Sequence, residues 1–183
     1  MREDIFRLSK DYHSGNGVHI FYNSFDVNAY IENASDYVIS AIQQEKFVMI
    51  IENERLFPLL MRNIKKSLTP AQIETLYYIN SFEFYCYRKN FYPSSIVEFF
   101  LQKIAPYLEK NMPVCTWGHV EWSDEKQISS VVAEYEHRID RLVNEIGIMA
   151  VCAYDGSRVS PSLKKGLLNC HSVYMTDKQL LFL

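Results

Sequence analysis

Val18-His19-Ile20-Phe21-Tyr22-Asn23-Ser24-Phe25-Asp26-Val27, continued through the apolar run Phe47-Val48-Met49-Ile50-Ile51, is the stretch that decides the fold. Val18 to Tyr22 is β-branched and aromatic, the composition of a strand. Asn23-Ser24 ends it with two residue types that favour a helix N-cap, because their side chains accept an orphan backbone N–H. Apolar residues then recur at Val27, Tyr30, Ile31, Ala34, Val38, Ala41 and Ile42, one stripe of a helix to about Gln44. Phe47 to Ile51 is apolar at every position, as in a strand covered on both faces. The order is strand, helix, strand.

The pattern continues outward. A helix is predicted over Glu54–Lys66, and Thr69-Pro70-Ala71-Gln72 starts another, with a Thr cap, Pro at the first helical position and Gln three residues on. Tyr77 to Tyr87 is aromatic and of open geometry. Ser95 to Glu98 is a second capping-box pattern, leading a helix through Ile96, Phe99, Phe100, Ile104 and Leu108 to about Lys110. Pro113–Val120 reads as a strand and Asp124–Asn144 as the clearest helix, with Ile128, Val131, Val132, Tyr135, Ile139, Leu142 and Val143 on one seam. Ile146–Ala153 is the next buried strand, Ser160-Pro161 starts a last helix to about Cys170, and Leu180–Leu183 is a final edge strand. Strands that are apolar throughout and alternate with helices predict an α/β fold, a mostly parallel sheet flanked by helices. Ligands in such sheets settle at the carboxyl ends of the strands, here just after Tyr22, Ile51, Val120 and Ala153.

Composition bounds the rest. The chain has 183 residues, enough for one sizeable core, with 48% hydrophobic and 22% charged residues and only 6 Gly and 6 Pro. Residues 17–183 read as one domain and residues 1–16 as a flexible N-terminal arm, with Gly15-Asn16-Gly17 a turn. A net charge of -3 without a dense Lys/Arg block argues against direct nucleic-acid contact. No apolar run approaches the roughly 20 residues needed to span a bilayer, and MREDIFRLSK lacks a signal-peptide core, so no membrane contact and a cytoplasmic location are expected. Cys86, Cys115, Cys152 and Cys170 form no CxxC pair and read as reduced, buried thiols. With 13 Tyr, 11 Phe and 2 Trp, some rings have a pocket or an interface to line.

Motifs for catalysis are missing. A P-loop needs glycines and a Lys after the first strand, whereas Asn23-Ser24-Phe25-Asp26-Val27-Asn28 offers an acid instead. GxSxG and HExxH do not occur, so no catalytic residue, cofactor or metal is assigned, although a metal site assembled from distant parts of the chain stays open. His19 is either a satisfied core histidine or a ligand contact. Glu134 and Glu136 lie about 100° to either side of Tyr135 on their helix, so they cannot enter one pocket. Glu134 can pair with Arg138; Glu136 faces Asp140, which is unfavourable unless a cation intervenes. Both acids read as a solvated flank. Trp117-Gly118-His119-Val120-Glu121-Trp122, at a strand's carboxyl end, mixes indoles with an imidazole and a carboxylate, as small-molecule pockets do; alternatively one Trp is core and the other caps the next helix. Tyr154-Asp155-Gly156 is a turn or a second wall of that site.

Taken in order, His19-Ile20-Phe21-Tyr22-Asn23-Ser24, Trp117 to Trp122, Glu134-Tyr135-Glu136, Cys152-Ala153-Tyr154-Asp155 and His171 resemble the MEDS domain, the methanogen/methylotroph and DcmR sensory domain, over roughly Gly17 to Leu183. In place of the family's commoner Arg-Val-x-Gly-Glu-Met form, this chain has the sequence around Trp117, and Ser172 follows His171 where proline is usual. The resemblance implies a degenerate RecA/KaiC-like three-layer sandwich without a P-loop, which senses small hydrocarbon derivatives or relays signals to an output domain. The length leaves no room for such an output domain, so the chain is expected to act through a regulatory protein partner or to belong to a longer protein; a homo-oligomer is possible too. The reading is a non-enzymatic sensory module whose ligand meets His19, Tyr22, Asn23, Ser24, Trp117, Trp122, Glu134, Tyr154 and Asp155. Rival readings are a pure interaction protein, such as an inhibitor of a kinase or sigma-factor pathway, and a residual nucleotide-binding enzyme using Glu121 or Glu134 with Mg²⁺.

Overall fold

A computed structural model describes residues 2–11, 17–85, 91–122 and 125–183. Its centre is a seven-stranded sheet in the order β3-β2-β4-β5-β1-β6-β7, parallel except for the last pair. The strands are β1 (Val18–Ser24), β2 (Phe47–Glu52), β3 (Leu76–Asn80), β4 (Val114–His119), β5 (Met149–Asp155), β6 (Val173–Thr176) and β7 (Leu180–Phe182). The helices are α1 (Arg2–Asp11), α2 (Val27–Gln43), α3 (Phe57–Ile64), α4 (Pro70–Ile73), α5 (Ser81–Tyr85), α6 (Pro93–Leu108), α7 (Glu125–Ile146) and α8 (Pro161–Leu168). No helix among the described residues is long and apolar enough to cross a membrane.

Two cores, one on each face of the sheet, explain why β1, β2, β4 and β5 are buried almost throughout. Ile20, Tyr22, Val48, Ile50, Trp117 and Val151 face α1, α2 and α3. Phe21, Met49, Ile51, Cys152 and Tyr154 face α6, α7 and α8. Alternate residues of one strand therefore serve opposite layers, as the period of two requires.

Several boundaries differ from expectation for identifiable reasons. β1 runs on through Asn23-Ser24, and the α2 cap is Asp26, whose side chain accepts from Asn28 N and Ala29 N. α3 starts later than Glu54 because Asn53 Oδ1 accepts from Arg55 N and Leu56 N and holds a turn there. The aromatic stretch divides into β3, paired with β2, and α5, with residues 86–90 outside the described set. α6 begins at Pro93, a good first helical residue, so Ser95 lies inside it. α7 continues to Ile146 and stops at Gly147, whose φ of 63° suits the residue after a helix end. Ser160 caps α8 as expected, and β6, paired with β1, is a strand that the sequence pattern does not predict.

The amino terminus is a further correction. Residues expected to be a flexible arm include α1, whose Ile5 is 2% exposed and whose Ser9 carbonyl accepts from Lys46. A salt bridge from Arg2 to Asp36 ties it to α2. Ile5 and Leu8, three residues apart, supply the apolar stripe that holds a short helix on α2. His13 and the Gly15-Asn16 part of the turn lie outside the described residues.

Candidate functional site

A cavity of about 540 Å³ opens at the carboxyl ends of β1, β2, β4 and β5. Its rim is apolar, with Phe25 69%, Val27 54% and Leu59 38% exposed. Its polar wall carries His119, Asn53, Glu121, Asp155 and Arg158. Under that wall lies Glu52, the residue one past the apolar run of β2 and fully buried. Glu52 Oε1 accepts from His119 Nδ1 at 2.7 Å and Asn53 N at 2.8 Å, and its Oε2 accepts from Tyr30 at 2.5 Å. Trp117 Nε1 donates to the Tyr30 oxygen at 2.9 Å. Asn53 and Ser81 both donate to Glu121. Burial pulls the His119 pKa down, but the carboxylate of Glu52 outweighs it and the net shift is upward.

Parallel α/β proteins that bind nucleotides seat phosphate on backbone N–H groups just after a strand, here those following β1. Here those groups serve the chain itself. Asp177 Oδ2 accepts from Phe25 N at 2.8 Å and Asp26 N at 3.0 Å, and its Oδ1 from Ser24 Oγ at 2.7 Å and the Tyr22 hydroxyl at 2.8 Å. Partial burial pushes the Asp177 carboxyl up, but these four donors together hold it below its usual range. An internal carboxylate thus occupies the position of an anion.

The nine residues expected to line a ligand site do not share one place. Ser24, Tyr154 and Asp155 border the cavity. Tyr22 and Trp117 lie beneath it, packed edge to face in the core shared with α2, while Trp122 belongs to the opposite core under the Arg158 guanidinium. Asn23 is buried beside Tyr174. Asp155 also holds its turn, accepting from Ser157 N and Oγ. Glu134 stays on the outside of α7, paired with Arg138 at 2.8 Å, away from the cavity as its helical position requires. His19 sits near the opposite end of β1, in a separate buried group.

That group joins His19, Glu136, Cys152 and His171, whose donor atoms all lie within 4.8 Å of one another. The solvated-flank reading of Glu136 is therefore wrong: it is 0% exposed. The cation that relieves Glu136 and Asp140 is His19, which contacts both at 3.4 and 3.3 Å. Burial lowers the His19 pKa, yet Asp140 and Glu136 raise it to about 9. Burial alone would raise Glu136, and the two histidines bring it well below the carboxylate range. Burial and the neighbouring His19 lower His171. Burial raises the thiol of Cys152 well above its ordinary value.

The family model described as "MEthanogen/methylotroph, DcmR Sensory domain" matches residues 18–172. The chain belongs to the MEDS family. A sensory or regulatory role is what that membership suggests. No curated protein matches the sequence. The crystal structure of flagellar accessory protein FlaH from Methanocaldococcus jannaschii is similar, with a TM-score of 0.57 at 11% identity, over 96% of this chain and 76% of that one. At such identity the likeness concerns fold alone, and this MEDS domain is RecA-like in architecture.

Within the MEDS domain, the quoted motifs converge on two separate places. His119 and Glu121 reach the cavity, while His19, Glu136, Cys152 and His171 meet below Tyr154, whose hydroxyl donates to Glu136. Reading residue by residue missed Glu52, Asn53 and Asp177. Glu52 had a usable signal: an acid directly after a buried strand of a parallel sheet stands where ligands bind.

Proposed function

We propose that this MEDS domain is a non-enzymatic sensor whose cavity binds a small organic molecule with an apolar body and one hydrogen-bonding group, such as a simple hydrocarbon derivative. The observation that carries this reading is the combination of an exposed apolar rim, Phe25, Val27 and Leu59, with a prearranged polar wall at His119, Asn53 and Glu121. A cleft that joins apolar side chains to anchored polar groups is a usual form of small-molecule site. The Asp177 carboxylate speaks against the nucleotide-enzyme reading, because it already uses the N–H groups that a phosphate would need.

Signal transfer in this scheme runs through the rim. A bound molecule would cover Phe25, Val27 and Leu59 and change the surface offered to a regulatory protein, which requires unequal ligand affinity for the two states. The test is a thermal-shift series on wild type and His119→Ala with short alcohols, carboxylic acids, halogenated alkanes and Mg²⁺–ATP. A compound at 100 times its Kd stabilises by about 2.7 kcal/mol. The expected result is stabilisation of wild type by one organic class, reduced in the variant, with no response to Mg²⁺–ATP. Stabilisation by Mg²⁺–ATP alone would overturn the reading in favour of a nucleotide site.

A further inference from the structure

The buried group below Tyr154 is independent of the cavity and has a different chemistry. His19 and Cys152 come from the adjacent strands β1 and β5, diagonal neighbours on one face, since Phe21 is the residue paired with Cys152. Glu136 descends from α7, and His171 follows α8. Glu136 Oε2 lies 3.4 Å from both His19 Nε2 and His171 Nε2, and His19 Nε2 lies 3.5 Å from Cys152 Sγ. Among the described residues, Glu136 Oε2 and His171 Nε2 are buried without a hydrogen-bond partner. Such orphans are costly, and a buried one needs an explanation.

The remaining atoms of these side chains are held from outside. His19 Nδ1 donates to the Cys170 carbonyl at 2.9 Å, with Asp140 alongside, and His171 Nδ1 donates to the Leu167 carbonyl at 2.7 Å. Tyr154 donates to Glu136 Oε1. Each ring is thereby fixed with Nε2 inward, which is how outer partners orient metal-ligating histidines. Four donors, two nitrogens, one carboxylate oxygen and one sulfur, lie within 4.8 Å of one another. Tetrahedral bonds of about 2.0–2.3 Å place neighbouring ligand atoms roughly 3.3–3.8 Å apart, and the three separations above fall in that range.

We propose that His19, Glu136, Cys152 and His171 form a binding site for a divalent transition-metal ion of the zinc type. Binding forms four metal–ligand bonds and releases two protons to solvent, one from the His19 imidazolium and one from the Cys152 thiol. Two neutral imidazoles, one carboxylate and one thiolate then balance the dication, so the filled site has no net charge to bury. Nitrogen and sulfur donors select zinc, cobalt, nickel or iron over magnesium and calcium, which prefer oxygen. The ion would pin β1 and β5 to α7 and to the α8–β6 junction.

The experiment is elemental analysis of tag-free protein purified without chelator, followed by refolding in equimolar Co²⁺. The site predicts one transition-metal ion per chain, or uptake of one Co²⁺ with tetrahedral absorption and a thiolate-to-metal band. That band should vanish in Cys152→Ser, and Asp140→Ala, which removes the carboxylate beside His19 Nδ1 without touching a ligand, should weaken the ion about 10–100-fold. Folded wild-type protein that neither contains an ion nor takes up Co²⁺ would overturn the proposal. So would a cobalt spectrum unchanged in Cys152→Ser, which would place the ion elsewhere. If a variant does not fold, the wild-type metal content and cobalt spectrum still decide.

Discussion

Two histidine–carboxylate pairs in this molecule look alike on paper and behave oppositely. At the cavity, Glu52 meets His119, and every oxygen of Glu52 has a donor: His119 and the Asn53 amide on one, Tyr30 on the other. Below Tyr154, Glu136 meets His19 and His171, and its Oε2 lies 3.4 Å from both Nε2 atoms without a well-formed hydrogen bond to either. The first is a closed network, which fixes the wall of an open cleft and leaves the imidazole edge for a ligand. The second is an open donor set in a closed place. Burial of an ionisable cluster therefore says little about its role until the partners of each atom are counted.

The largest effect should come from breaking the buried pair. Glu136→Ala is expected to lose about 3–5 kcal/mol, since it strands two buried imidazoles, and urea unfolding would show it as a lower midpoint. A loss under 1 kcal/mol would mean that water already reaches the group.

Asp177→Ala comes next, with an expected cost of about 1–3 kcal/mol for the four hydrogen bonds removed from a partly exposed carboxylate. The folded-state pKa of Asp177 is depressed, so its contribution is present above the usual carboxylate pKa. It is lost as pH falls through the lower folded value, and wild type and variant should converge in acid. The freed Phe25 and Asp26 N–H groups should also make the variant, unlike wild type, gain stability from inorganic phosphate.

A smaller effect is expected at the cavity, where His119→Ala should cost about 1–2 kcal/mol, because Glu52 keeps the donors Tyr30 and Asn53. The folded His119 pKa is raised, so its contribution is full below the ordinary histidine value near 6.5 and declines as pH rises through the folded value. Stability curves of wild type and variant measured across that range check the sign. Smallest of all, Glu134→Ala should change stability by under about 0.5 kcal/mol, since it breaks an exposed one-turn ion pair.

Much of the framework was legible from pattern alone. The strand–helix–strand opening, the seam of α7 and the location of a cavity at the carboxyl strand ends all follow from periodicity and from the rule for parallel sheets. What escaped depends on atoms brought together from afar. Glu136 sits one residue from the apolar seam and reads as solvated; only the β5-β1-β6 order, which sets His19 between Cys152 and the chain leading to His171, shows why it is buried. Trp117 and Trp122 are five residues apart but serve opposite faces of the sheet, a separation set by the end of β4 between them. Asp177 lies in the connection between β6 and β7, and nothing local marks it as the partner of residues near 25. The α1 contact escaped because only Ile5 and Leu8 of its ten residues form the packed stripe, with Phe6 turned to solvent.

Whether the strand-end cavity is a ligand seat is tested most directly by amide NMR of the isotopically labelled chain titrated with the alcohol, acid and haloalkane panel. Saturable shifts are expected at residues 25–30, 53–59 and 119–121, with little change around Glu136 and His171. No saturable shift with any member of the panel, or shifts confined to the exposed edge at residues 180–183, would contradict it.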